Sequence, residues 1–144
     1  NFEFERTPHI LIVDDNATNR VVAQALCEMF GCTSETVEDG LEALETVQER
    51  AFDLILMDIK MPRMDGVQAT CAIRALAGPA GDTPIVALTA NADPEDARSY
   101  VAAGMCDVVE KPIKPERLRR AINRALNADG VVAEEADIAG RSVA

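Results

Sequence analysis

The sequence predicts an α/β fold: five parallel strands in one sheet, covered by helices on both faces. Three observations lead there. Short apolar runs alternate five times with longer stretches of helical periodicity, and strict strand–helix alternation means a parallel sheet. The stronger runs are continuous rather than alternating, as strands buried on both faces require. Three carboxylates, a hydroxyl and an ammonium follow several of the runs: Asp14-Asp15, Asp58, Thr89 and Lys111. In open parallel sheets, ligands bind beyond the carboxyl ends of the strands, where strand order reverses.

The elements follow in order. His9-Ile10-Leu11-Ile12-Val13 is the first strand, and Val22, Leu26, Met29 and Phe30 form the apolar stripe of a helix that Gly31 stops. Cys32 to Val37 is a weaker strand, after which Asp39 caps a helix carrying Leu41, Leu44 and Val47. The strongest strand is Phe52 to Met57, followed by a loop from Asp58 to Met64. Asp65 caps a third helix bearing Val67, Ile73 and Leu76. A Gly/Pro loop at Gly78-Pro79-Ala80-Gly81 leads into a fourth strand, Pro84 to Leu88. Asp93-Pro94 opens a fourth helix, as N-cap and first-turn proline, and Gly104 ends it. Cys106 to Val109 is the fifth strand, and Pro115 begins a helix with Leu118, Ala121, Ile122, Ala125 and Leu126 at helical spacing. These readings place Asp15, Asp58, Thr89 and Lys111 one to two residues past a strand's end.

Composition bounds the class. With 144 residues the chain is about one domain. It is 48% apolar and 3% aromatic with no Trp, so the core is aliphatic. A net charge of −11 excludes a general nucleic-acid surface, which needs Lys and Arg in excess. Cys27, Cys32, Cys71 and Cys106 form no CxxC pair and His9 is the single histidine, so the cysteines read as small buried groups in a reducing cytosol rather than zinc ligands. His9 itself reads as a strand-start residue and Tyr100 as helix packing. No apolar run reaches the ~18 residues of a membrane span. The start at Asn1 suggests an excised piece of a longer protein. Residues 1–8 read as a lead-in, 9–127 as the domain, and 128–144 as a flexible, aperiodic tail.

The strand-end residues suit a magnesium ion and a phosphoryl group. Magnesium takes oxygen ligands: Asp15 and Asp58 directly, Asp14 through water, and the backbone carbonyl of Lys60. Three massed carboxylates would repel one another without a cation. Asp58 is the best nucleophile, since a carboxylate can attack phosphorus and form an aspartyl phosphate. Phosphoryl transfer then needs positioning and charge neutralisation, which Lys111 as a point charge and the Thr89 hydroxyl would supply alongside the metal.

The chain resembles the receiver domains of two-component phosphorelay systems. The stretches that carry the likeness are Leu11-Ile12-Val13-Asp14-Asp15-Asn16, Leu56-Met57-Asp58 through Met64-Asp65-Gly66, Ala87-Leu88-Thr89-Ala90, Ala103-Gly104-Met105 and Lys111-Pro112. The resemblance implies a flavodoxin-like (βα)5 sheet of order 2-1-3-4-5. It implies phosphorylation of Asp58 by a phosphohistidine on a histidine kinase dimerisation domain or a histidine phosphotransfer protein. It also implies a magnesium requirement, with manganese as a substitute, held by Asp14 and Asp15, and a cis Lys111–Pro112 bond. In the family Thr89 moves toward the phosphate and biases the fourth helix and fifth strand between two states. Asn16, Asn19 and the Gly78–Gly81 loop make it most similar to receivers of hybrid sensor histidine kinases, on the cytoplasmic side of such a sensor. One departure stands out: Val108 occupies a position where stand-alone receivers often carry a switching aromatic ring. Val22, Ala23 and Leu26 have the apolar character to meet a helical histidine donor, and equally that of core residues.

Two competing functions remain at this level. A magnesium-dependent phosphatase would usually carry an acid two residues past the nucleophile, where this chain has Lys60. A pseudo-receiver, an interaction module without phosphorylation, would have no need of the complete acid–Thr–Lys set.

Overall fold

The computed structural model describes residues 7–128. Five strands alternate with five helices: β1 (His9–Val13), α1 (Ala17–Met29), β2 (Thr33–Val37), α2 (Gly40–Glu49), β3 (Leu54–Asp58), α3 (Gly66–Arg74), β4 (Ile85–Thr89), α4 (Pro94–Ala103), β5 (Asp107–Glu110) and α5 (Pro115–Ala128). A short 3-10 turn, Pro79–Asp82, fills the Gly/Pro loop before β4. All four strand pairings are parallel, in the order β2-β1-β3-β4-β5. The chain leaves β1 for β2 on one side and returns to β3 on the other, so strand order reverses between the ends of β1 and β3.

The pleat divides the core in two. Ile10, Ile12, Leu54, Leu56, Val86 and Leu88 face α1 and α5, where Ala23, Leu26, Phe30, Leu118 and Ile122 complete one cluster. Their neighbours Leu11, Val13, Ile55, Met57, Ile85 and Ala87 face α2, α3 and α4, meeting Ala43, Val47, Ala69, Ile73 and Tyr100. Every residue of β3 and β4 is buried, which is why both read as continuous apolar runs.

The expected caps are present: the Asp39, Asp65 and Asp93 side chains accept from the backbone N–H of Glu42, Gln68 and Asp96. Gly104 closes α4 in the left-handed conformation, φ 117°.

Four expectations need correction. Strands β3, β4 and β5 each end one residue later than the apolar runs suggest, because the ladder continues through Asp58↔Leu88 and Thr89↔Glu110. Asp58 and Thr89 therefore close their strands instead of following them. On α1, Val22 and Met29 are exposed, and Ala23 and Cys27 occupy the inward stripe with Leu26 and Phe30. Leu76 lies past the end of α3, half-buried against the core. Of the cysteines, Cys27 and Cys32 are buried and Cys71 and Cys106 are exposed. Burial pushes the Cys27 and Cys32 thiols up to about 12. The readings of a lead-in and a flexible tail rest on segments that, apart from Thr7, Pro8 and Ala128, lie outside the described residues.

Candidate functional site

The carboxyl edge of the sheet gathers the expected residues. Asp14, one residue past β1, is 1% exposed, and Asp58 at the end of β3 is 4% exposed. Asp15 beside them faces solvent. One carboxylate oxygen from each of the three lies within 4.8 Å of the others. Lys111, just past β5, reaches across β4 to them: its Nζ is 2.8 Å from Asp58 Oδ1 and 3.1 Å from Asp14 Oδ2. The Lys111–Pro112 bond is cis, as the family resemblance implies.

Local structure fixes each group. Asp14 Oδ1 accepts from the Asn16 backbone N–H at 2.9 Å, and Asn16 in turn caps α1. The Arg20 guanidinium donates to the Asp14 carbonyl at 2.7 Å, holding the β1–α1 turn. Behind Asp58, a Cβ on Gly66 would stand 2.2 Å from the Asp58 carbonyl oxygen. A side chain cannot fit there, so glycine is what lets α3 begin against the end of β3.

The electrostatics are opposed. Burial raises the Asp58 carboxyl above its ordinary value; the Lys111 hydrogen bond pulls it back, while Asp14 and Asp15 push it up further. Lys111 loses hydration on burial, yet its bonds to Asp58 and Asp14 outweigh that and raise it. Asp14 Oδ2 is buried and meets Lys111 Nζ at 3.1 Å as an ion pair, without hydrogen-bond geometry. A donor set of three clustered carboxylate oxygens is what a hard divalent cation fits.

Thr89 and Lys60 line the same cleft, of about 480 Å³, with Asp15, Asp58 and Lys111. Neither touches the carboxylates directly. The Thr89 hydroxyl is engaged by Asn91, accepting from its N–H at 3.1 Å and donating to its carbonyl at 3.0 Å. The Lys60 residue is exposed. Asp96 and Tyr100, both on α4, are among the cleft residues that the sequence does not announce as such. Nothing local marks them, since only the packing of α4 against the sheet brings that helix to the edge.

With this geometry in view, the comparisons decide the family. A model of the response regulator receiver domain matches residues 10–123. The chain belongs to that family. It is a receiver domain of two-component phosphorelay signalling. The sensor protein GacS of Pseudomonas syringae is 45% identical over 119 residues, 81% of this chain and 13% of that protein. Among solved structures, the receiver domain of the Pseudomonas aeruginosa sensor histidine kinase PA1611 is 37% identical with TM-score 0.77, covering 85% of this chain and 99% of that one. That structure has a magnesium ion coordinated in its active-site cleft. The chemotaxis response regulator CheY4 of Vibrio cholerae is 33% identical with TM-score 0.79, over 84% of this chain and 100% of that one. The chain thus spans a small fraction of GacS but nearly all of these two receivers. Among the described residues, no helix is long and apolar enough to cross a membrane.

Proposed function

We propose that this receiver acts through Asp58, which takes a phosphoryl group from a phosphohistidine on a histidine kinase dimerisation domain or a histidine phosphotransfer protein. The observation that carries this is the Lys111 ammonium, held 2.8 Å from Asp58 inside a cluster of three carboxylates. An Asp58 oxygen attacks phosphorus, the P–N bond breaks, and its electron pair returns to the imidazole of the donor. Asp14, Asp15 and Asp58, with the Lys60 carbonyl, would hold magnesium, or manganese in its place. The ion's chemistry there is neutralisation of phosphoryl oxygen charge.

Lys111 already bridges Asp58 and Asp14. Once Asp58 is phosphorylated, its ammonium exchanges the Asp58 carboxylate for a phosphoryl oxygen with little movement. Thr89 must give up its Asn91 turn to donate to another, which makes the β4–α4 loop the part that responds. Val108 is half-buried against the core, and its branched side chain has no ring to swing. The response therefore runs through the Thr89 loop and α4 without an aromatic partner on β5. Placement in a cytoplasmic phosphorelay, as part of a hybrid sensor kinase, belongs to the same proposal and draws support from the likeness to GacS and PA1611.

Incubation with acetyl phosphate and magnesium tests the reading. Intact mass should show one phosphoryl adduct, absent from Asp58→Asn. Phosphate release over many cycles without a trapped adduct would favour the phosphatase. No adduct at all would favour the pseudo-receiver.

A further inference from the structure

The loop between β3 and α3, residues 59–65, has to carry the Lys60 carbonyl to the carboxylate cluster. Backbone hydrogen bonds hold its ends, Ile59 N–H to Leu88 O at 3.1 Å and Gly66 N–H to Ile59 O at 2.8 Å, and Met64 N–H closes a tight turn onto Pro62 O at 2.7 Å. Its middle is folded back by Arg63, the single non-glycine residue with positive φ among those described, at 67°. A left-handed arginine is a strained conformation, and it persists only where the surroundings impose it.

Those surroundings belong to α2. The Arg63 guanidinium clasps one carboxylate oxygen of Asp39 through both Nε, at 2.8 Å, and Nη2. The other Asp39 oxygen accepts from Glu42 N–H at 2.9 Å, capping α2. Next to them, Gly40 N–H donates to Met64 O at 3.2 Å, and a Cβ on Gly40 would stand 2.5 Å from that oxygen. Asp39 is buried, and its carboxyl is held below its ordinary value: burial opposes this, but the α2 N–H groups and Arg63 prevail. Three hydrogen bonds therefore fasten the loop to the start of α2, and Lys60 and Met61 are what remains between Ile59 and the fastened turn. Among the described residues, the Lys60 carbonyl accepts no hydrogen bond of its own.

We infer that the Arg63–Asp39 pair is a clamp that positions the Lys60 carbonyl for the divalent cation, making both positioning residues for metal binding. The inference rests on the reading of Asp14, Asp15, Asp58 and Lys60 as the magnesium site. Charge alone and clamping make opposite forecasts for one of the two residues. Removing the positive charge of Arg63 near a cation site should tighten magnesium binding by Coulomb's law; loosening the loop should weaken it.

Calorimetric titration of the unphosphorylated chain with magnesium separates them, with thermal midpoints recorded alongside. Arg63→Ala is expected to weaken binding by about tenfold, against the Coulomb sign, at the lower end of outer-sphere effects on metal sites. Asp39→Asn keeps an N-cap of equal quality and should weaken binding comparably, and the double variant should be no worse than the weaker single. Binding in Arg63→Ala as tight as in the parent, or tighter, overturns the clamp even if the midpoint falls, since a purely structural pair would move stability alone. If the parent itself fails to saturate with magnesium, the metal-site reading fails, and the clamp with it.

Discussion

At the scale of single residues, the acid cluster carries an electrostatic cost. Asp58 is buried beside two other acids, and its carboxyl is raised, chiefly by that burial. A raised folded-state value means the folded protein holds the proton more tightly than the unfolded chain. The associated stability is therefore present at low pH and is lost as pH climbs from the unfolded value, about 3.9, through the folded one. Asp58→Asn should consequently be more stable than the parent at neutral pH without magnesium, by about 1 kcal/mol or some 3–5 °C. The gap should shrink toward pH 3 and also on adding magnesium. Denaturant melts at several pH values check this; a parent as stable as the variant at pH 7 would contradict it. Lys111 offsets part of the repulsion between Asp58 and Asp14.

Among the elements, glycines and caps decide how close each helix approaches the active edge. Gly66→Ala forces a Cβ to 2.2 Å from the Asp58 carbonyl. Backbone cannot yield as a flexible side chain does, so the start of α3 must move. The expected loss is about 3 kcal/mol of stability, together with a slower reaction with acetyl phosphate because Asp58 moves too. Unchanged labelling kinetics in a folded Gly66→Ala protein would show that the close approach has no role at the site. Much at this scale was legible beforehand. Asp39, Asp65 and Asp93 each precede an amphipathic stretch, and all three cap it. Size misleads on the inward stripe of α1: Val22 and Met29 are the larger apolar side chains, yet the helix turns the smaller Ala23 and Cys27 toward the sheet. Ala23 and Cys27 fit closely packed ground between α1 and the strands; larger side chains would overfill it.

For the molecule as a whole, the same misreading becomes informative. Val21 is 64% exposed and Val22 42%, on the helix that follows the Asp14-Asp15 turn, whereas Ala23 and Leu26 are core and unavailable to a partner. If a histidine-bearing helix docks beside the cleft, Val21 and Val22 are apolar residues it can meet. Val22→Asp should slow phosphotransfer from a protein donor by about tenfold, while labelling by acetyl phosphate stays at the parental rate. Equal rates from the protein donor would place docking elsewhere.

The order of apolar runs was enough to determine a five-stranded parallel sheet, because continuous apolar strands can be buried only between two helical layers, and the polar residues at their ends were enough to name Asp14, Asp15, Asp58, Thr89 and Lys111. Tertiary structure alone decided which of these touch. Lys111 meets Asp58 across one intervening strand and Asp14 across two, yet Thr89 turns to Asn91 and Lys60 stands exposed at the cleft. It also brought Asp39 to Arg63, 24 residues apart. Strand and helix periodicities are local and survive in one dimension; contacts between loops depend on strand order, register and the angle of each helix, which no single stretch of sequence contains.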